Sequence, residues 1–168
     1  VRGEEARDML TAMNIGKIAM GTIHASTTRD IVTRLQHTPM NIEMDIIPLI
    51  DVLIIVSQVF ENNKFIRKVT QVSEISGVET QVLLSDLYTY DYKTRKSSDI
   101  LPSVTYRDTL SKLTGYPPSE IIIEEERRAK ILERLNQLGI TDLKSINEFV
   151  KEYYEDPEAA LKRINLED

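Results

Sequence analysis

The stretch "DVLIIVSQVFENNK" (51–64) decides the fold of the first part of the chain. Its first ten residues are β-branched and nearly continuously apolar, which predicts a strand covered on both faces. Its last four predict a hairpin turn, because asparagine tolerates a positive φ angle. "FIRKVTQVSEI" (65–75) and "TQVLLSDLYTYDY" (80–92) then alternate with a period of two, and Gly77 is expected to break the chain between them. The sequence therefore predicts a β-meander.

The residues before this meander predict a helix, a short strand and a second helix. Apolar residues recur at helical spacing over 6–13, and Gly16 is suited to end that helix. The segment "IAMGTIHA" (18–25) has the pattern of a short buried strand. The pattern Thr-x-x-Asp over 27–30 resembles a capping box that begins the second helix, and Pro39 ends it.

The pattern changes after the meander. Residues 93–103 are polar and rich in turn formers, which is typical of a linker. The residues that follow have helical spacing, so a helical part is expected after an α/β part. The helices are expected near 105–113 with Ser103 or Thr105 as the cap, over 117–139, after Thr141 as a cap, and after Pro157.

The composition is ordinary for a globular protein and disfavours several kinds of function. The net charge is −6 and the pI about 5.1, whereas a generic nucleic-acid binder is basic. The absence of cysteine excludes disulfides and thiolate metal sites, and suits a cytoplasmic protein. The longest apolar stretch, Ile46 to Phe60, contains proline, aspartate and glutamine, so it is not expected to span a membrane.

No motif for phosphate binding, metal binding or nucleophilic catalysis is complete. Gly16-Lys17 is not part of a P-loop, because Thr11 stands where the first glycine of that motif is needed. His24 and His37 have no partner at metal-ligand spacing, so no metal site is expected. No serine lies between the glycines of a nucleophile elbow.

His24 is singled out by its position alone. It lies at the end of the expected strand 18–25, on the edge where α/β domains bind ligands, and an imidazole there donates to a phosphate oxygen. The alternative is a histidine bonded to a nearby backbone carbonyl, which the residues alone favour. For Arg2 and Glu5 the residues alone favour an exposed ion pair at a helix start.

Three motifs in order nevertheless resemble a known family. They are "VRGEEA" (1–6), "GTIHA" (21–25) and "RLQHTPMNI" (34–42), with "VSEISG" (72–77) similar to a later strand. Together they resemble archaeal members of the secretion ATPase superfamily, the hexameric motors of type II and type IV secretion, type IV pili and the archaellum. The archaellum and archaeal pilus branch fits best. The joint occurrence of these motifs is far more specific than any one of them.

This resemblance implies a nucleotide site. It identifies "GTIHA" with the family's histidine box, so His24 is implied to contact or sense the γ-phosphate, with Thr22 as a second nucleotide-binding residue. Arg2 and Glu5 follow the Walker B motif in such proteins and are the other implied catalytic residues. ATP and Mg²⁺ are the implied cofactors of the full-length protein.

The resemblance also implies a fold and partners. Residues 1–101 are expected to form the C-terminal part of a RecA-like P-loop ATPase core of the α/β class, and 102–168 a small all-helical domain. The P-loop, the Walker B glutamate and an N-terminal domain are expected upstream of Val1, so the isolated chain is not expected to hydrolyse ATP. The implied partners are a homo-hexamer and a membrane platform protein at the cytoplasmic face of the membrane, with no nucleic acid.

Two other interpretations stay open at the level of sequence. The chain could be a non-catalytic interaction module whose helical end (104–168) docks a platform protein or an adjacent subunit. The Lys and Glu stripes of helix 119–139 suit docking, but they also suit a solvated face. A domain with helices and a sheet but no ligand is the third interpretation.

Overall fold

The computed structural model describes residues 1–166 and consists of helices and one antiparallel sheet. Helices hold 44% of the residues and strands 23%, in agreement with the mixed class that the sequence predicts. The chain forms two compact units, Val1–Thr109 and a second that begins at Leu110. The division falls inside a helix, beyond the boundary predicted after residue 101.

The first unit contains two helices, a short 3₁₀ turn at Ile47–Leu49 and a four-stranded antiparallel sheet in the order β1-β2-β3-β4. A third helix, α3, runs across the division, and three helices follow it. The helices are α1 (Glu4–Asn14), α2 (Thr28–Gln36), α3 (Thr105–Thr114), α4 (Pro118–Gln137), α5 (Leu143–Glu155) and α6 (Pro157–Arg163). The strands are β1 (Val52–Glu61), β2 (Lys64–Val78), β3 (Val82–Asp91) and β4 (Lys96–Asp99).

The predicted meander and its first turn are confirmed. Asn62 and Asn63 have φ angles of 47° and 62°, the pair of positive values that a tight hairpin needs. The ladder between β1 and β2 begins directly beside this turn with the pair Glu61 and Lys64. The predicted capping box of α2 is confirmed as well, because Thr27 Oγ1 accepts from the Asp30 amide and the Asp30 carboxylate accepts from the Thr27 amide.

Several local expectations are wrong. Gly77 does not break the chain but lies inside β2, where the register with β3 shifts as in a β-bulge. The expected linker 93–103 contains β4, which pairs with β3. The cap of α5 is Asp142, whose Oδ1 accepts from the Ser145 amide at 2.9 Å, and not the neighbouring Thr141.

β1 is covered on one face only, so the prediction of a strand covered on both faces is also wrong. Leu53 and Ile55 are buried, whereas Ile54 and Val56 between and beyond them are 57% and 60% exposed. Successive side chains of a strand point to opposite faces, and the core of this unit lies against one of them. Its buried residues come from α1, α2, the following loop and the sheet: Ala6, Leu10, Ile31, Val32, Leu35, Met40, Ile42, Ile47, Leu53, Ile55, Ile75 and Val82.

The second unit has its own helical core. Phe149 and Tyr153 of α5 stack with ring centroids 6.5 Å apart, and the Tyr153 hydroxyl donates to Glu124 of α4 at 3.0 Å. Arg134 of α4 donates to the carbonyl of Ile164 at 2.8 Å, which ties the end of α6 to the long helix. The buried cluster comprises Ile131, Leu135, Phe149, Tyr153, Ala160, Leu161 and Ile164.

Glu74 of β2 caps α3 from a distant part of the sequence. Its carboxylate is 2% exposed and accepts from the Ser103 hydroxyl at 2.9 Å and from the amides of Val104, Thr105 and Tyr106 at 3.1 to 3.4 Å. These amides are the free donors at the start of the helix, where negative charge is favourable. The expectation that the helix is capped by Ser103 or Thr105 is therefore wrong, because Ser103 donates to the capping group instead.

We expect the Glu74→Gln substitution to lower the free energy of unfolding at pH 7 by about 2 kcal/mol, because it removes a charged acceptor of several hydrogen bonds. Burial raises the pKa of Glu74, but the bonds from Val104, Ser103 and the following amides outweigh burial, so the net pKa lies below its ordinary value of 4.5. The stabilisation is therefore complete above pH 4.5 and is lost as the pH falls through the lower folded value.

Urea unfolding followed by circular dichroism at pH 7 and at acidic pH checks this expectation. The difference between wild type and Glu74→Gln should shrink as the pH falls below the ordinary pKa of the carboxyl. Glu79→Gln is the matched control, since Glu79 is exposed just after the same strand. Equal stability of wild type and Glu74→Gln at pH 7 would contradict the role of this carboxylate.

Candidate functional site

The segment 18–25, which carries Thr22 and His24, is not the strand that the sequence predicts. It has no regular secondary structure, and among the described residues its backbone pairs with none of the four strands. Within residues 1–166, its backbone is bonded to another segment by a hydrogen bond from the Val1 nitrogen to the Thr22 carbonyl. The pattern is apolar enough for a strand, but a strand forms only where a neighbour offers ladder hydrogen bonds.

A groove lies between this segment and β1. The cavity has a volume of about 410 Å³, and its walls include Met9, Met13 and Ile31 from the two helices, the segment 19–25, and residues 52–56 of β1. β1 pairs with β2 along one edge only, so its other edge faces the groove unpaired within the described residues. One long wall is therefore the unpaired edge of β1, and the other is a segment whose backbone pairs with none of the described strands.

Two side chains of the segment 18–25 are fully exposed to solvent. Ile18 and Met20 have exposures of 102% and 98%, although both are large and apolar. Exposed apolar side chains next to open backbone edges are typical of a surface that another polypeptide segment covers.

Gly21 allows the segment to lie against the start of α1. A Cβ at this position would be 2.7 Å from Val1 Cγ2 and 2.9 Å from Met9 Sδ, both closer than ordinary contacts. A side chain at this position would therefore require the Val1 and Met9 side chains to move away. This contact brings Thr22 next to the residues that precede α1.

His24 lies on the surface at the far end of the segment. Its side chain is exposed, and within the described residues its imidazole makes no hydrogen bond. The carbonyl-bonded histidine that the residues alone favoured is thus not present. Both ring nitrogens are open to a ligand, and α2 begins four residues later.

Arg2 and Glu5 form a local helix start and not the expected side-chain ion pair. The Glu5 carboxylate accepts from the backbone amide of Arg2 at 3.2 Å, and the Glu5 amide donates to the Arg2 carbonyl at 3.3 Å. The Val1–Thr22 bond places both residues near the histidine segment. No contact among the described residues joins either side chain to His24, so the backbone bond from Val1 to Thr22 is the link between the helix start and the histidine segment.

The N-terminus of α2 does not offer a free anion site. Thr27 and Asp30 cap each other, and the Thr28 amide donates to Gln71 Oε1 at 3.1 Å. The Asp30 carboxylate already places negative charge at the positive end of the helix. A phosphate near this loop would therefore be recognised by the His24 side chain rather than by the helix amides.

Sequence reasoning missed a polar cluster beneath this helix start. Thr28 of α2, Gln71 and Ser73 of β2, and Asp86 of β3 form a closed ring of hydrogen bonds, which we call the α2 ring. Thr28 and Ser73 are almost completely buried. The signal was present in "VSEISG" and the polar residues around it, but nothing local indicates which partner each residue has.

Among residues 1–166, no group of three or more histidine, aspartate or glutamate side chains is arranged to hold a metal ion. Over the same residues, none of the helices has the length and apolar character needed to cross a lipid bilayer.

No protein-family model matches the chain. The chain is similar to three proteins of Methanocaldococcus jannaschii. "Uncharacterized protein MJ0900" is 26% identical over 92% of the chain and 29% of its own length. "Uncharacterized protein MJ0781" is 24% identical over 86% of the chain and 20% of its own length, and "Uncharacterized protein MJ1287" is 28% identical over 80% and 51%. The chain thus spans between a fifth and about half of the length of these curated relatives.

We expect Gly21→Ala to lower the free energy of unfolding by about 1 kcal/mol, because the added methyl group overpacks the contact with α1. Urea unfolding of a double-mutant cycle with Met9→Ala checks this expectation. The two substitutions together should cost less than the sum of their separate costs, since Met9→Ala makes room for the new methyl group. Additive costs would show that Met9 is not the group that Gly21 accommodates.

Proposed function

We propose that this chain is the C-terminal part of an ATP-hydrolysing motor of the secretion ATPase superfamily, in which His24 contacts or senses the γ-phosphate. The full-length protein would be a homo-hexamer that drives archaellum or type IV pilus assembly, or type II secretion, against a membrane platform protein at the cytoplasmic face of the membrane. The resemblance of the motifs 1–6, 21–25 and 34–42 is the origin of this proposal.

The observation that carries the proposal is the exposed, unbonded imidazole of His24 directly before a capped helix. A histidine that is buried in a structural role is expected to have a protein partner for its ring nitrogens. His24 has none within the described residues, so its hydrogen-bonding capacity is available to a ligand oxygen. The position agrees with that of a side chain that contacts a phosphate bound by another part of the protein.

The groove between the segment 19–25 and β1 supports a larger sheet. In the proposed RecA-like core, a further strand would lie in this groove and pair with both open edges. Such a strand would turn 18–25 into the strand that its sequence pattern predicts, and it would cover Ile18 and Met20. The partial sheet of this chain would then be one half of a wider sheet.

The chemistry of the proposed reaction is phosphoryl transfer to water, in which positioning and charge supply most of the catalysis. This chain would contribute the His24 side chain to that reaction. A hydrogen bond from His24 to a γ-phosphate oxygen would be made with bound ATP and lost after hydrolysis. The loss of this hydrogen bond would change the position of the start of α2, which begins four residues after His24. Arg2 and Glu5 would lie at the margin of the site.

We expect His24→Ala in the longer protein to reduce turnover at saturating ATP at least about tenfold, with a smaller effect on nucleotide affinity, as for a group that acts mainly in the transition state. Steady-state phosphate release and equilibrium binding of a fluorescent ATP analogue measure the two effects. The control is His37→Ala, which removes the other histidine of the chain at the opposite end of α2. Unchanged turnover in His24→Ala would falsify the proposed role.

The 168-residue chain alone should show no binding of Mg·ATP in isothermal calorimetry at concentrations up to about 1 mM, because it has no P-loop backbone to hold the phosphates. A clear micromolar isotherm would mean that the chain contains a nucleotide site of its own. The coding sequence before Val1 is an independent check. An in-frame P-loop and a Walker B Gly-Glu support the motor, and an unrelated domain contradicts it.

A non-catalytic interaction module is the second candidate, and the second unit offers one observation in its favour. A cavity of about 520 Å³ is lined by Leu110, Tyr116 and Ile123 together with charged residues of α4. Tyr116 and Ile123 are more than half exposed. This mixed apolar and charged surface suits the docking of a platform protein or an adjacent subunit.

A further inference from the structure

The α2 ring has a single consistent direction of hydrogen bonding. Asp86 Oδ1 accepts from the Ser73 hydroxyl at 2.5 Å and from the Gln71 side-chain amide at 2.9 Å. The one hydroxyl hydrogen of Ser73 is thereby used, so its contact with Thr28 Oγ1 at 2.8 Å must have Thr28 as the donor. Gln71 turns its amide nitrogen to Asp86 and therefore its oxygen to the Thr28 amide, at 3.1 Å.

The α2 ring thus binds both hydrogen-bond donors of Thr28, its backbone amide and its hydroxyl. Thr28 is the first residue of α2, and its backbone amide and its hydroxyl each have a fixed acceptor on β2. Asp86 of β3 orients both of those acceptors. Thr28 is 1% exposed and Ser73 fully buried, so water cannot easily replace a lost partner, and an unsatisfied polar group there is costly.

The ring lies next to the loop that carries His24. Only residues 25–27 separate His24 from Thr28, and the capping box prevents Thr27 from rotating freely. The His24 imidazole itself has no bond that would fix it. Its position is therefore set by the backbone anchors on either side, which are the α2 ring and the close contact of Gly21 with α1.

We propose that Gln71, Ser73 and Asp86 are positioning residues for His24. They hold the first turn of α2 against β2 and β3, and in this way they fix where the loop presents the imidazole to a phosphate. This inference rests on the proposed function, which names the group that His24 meets, but the positioning itself is measurable without a nucleotide. It assigns a role to the polar residues in and beside "VSEISG" (72–77), which the proposed site does not otherwise use.

Two substitutions break the ring with little change of shape. Thr28→Val removes the hydroxyl donor from a β-branched side chain, and Ser73→Ala removes the bridging hydroxyl. Thr28→Ser keeps the hydroxyl and is the conservative rescue variant. Ser76→Ala, an exposed serine on the same strand, is the matched control. If Thr28→Val or Ser73→Ala fails to fold, Gln71→Met removes the amide that links Thr28 to Asp86 at a partly exposed position.

The first measurement uses the 168-residue chain and nuclear magnetic resonance. The imidazole signals of His24 and His37 report on the two ends of α2, and amide hydrogen exchange reports on its first turn. In Thr28→Val and Ser73→Ala, the His24 signal should shift while that of His37 stays, and exchange in the first turn should be about three- to tenfold faster. Thr28→Ser and Ser76→Ala should resemble wild type.

The second measurement is turnover of the longer protein, well below its melting temperature. The ring variants should reduce kcat about three- to tenfold with KM changed less than about twofold, since they misplace His24 without removing it. A lower melting temperature alone, with the His24 signal, exchange and kcat unchanged, would mean a purely structural ring and would overturn the inference.

The outcomes separate the two proposals. If His24→Ala lowers turnover but the ring variants do not, the proposed function stands and the positioning role is wrong. If His24→Ala leaves turnover unchanged, the proposed function is wrong, and the resonance and exchange measurements alone decide whether the ring positions the His24 loop.

Discussion

The pairing of β2 along both of its edges is the constraint on which the rest of the first unit depends. β2 lies between β1 and β3, and its side chains hold the elements before and after the sheet. Gln71 and Ser73 bind the start of α2, and Glu74 binds the start of α3. Two helix N-termini, with their amides and positive ends, are thus anchored on three side chains within a four-residue stretch of one strand.

These anchors explain how the four-stranded sheet holds a defined loop. Residues of α1 and α2 pack against one face of the sheet, and Ile54 and Val56 remain exposed on the other. The segment 18–25 has no strand beside it, so its backbone gains no ladder bonds. Its course is determined by the contact of Gly21 with Val1 and Met9 in its middle and by the α2 ring that follows it. The exposed His24 lies between these two fixed points.

Much of the fold could be predicted from local sequence patterns. The two asparagines of the hairpin turn and the capping box of α2 act within four residues, so their physics is visible in the sequence. The strand prediction for 18–25 was wrong because apolar pattern and β-propensity do not say whether a neighbouring strand is present. Thr141 was expected to cap α5, but the adjacent Asp142 does so, which is the usual error of one residue at a helix boundary.

The features of the candidate site also fall into those that the sequence predicts and those that only the fold decides. The sequence by itself determined the meander, its hairpin turn and the capped start of α2, because these features depend on residues close together in the chain. Only the tertiary structure decided that Glu74 caps a helix some thirty residues later and that Asp86 completes the ring with Gln71, Ser73 and Thr28. The physical reason is that a buried polar side chain takes whichever partner the fold brings within reach, and that partner is not encoded by nearby residues.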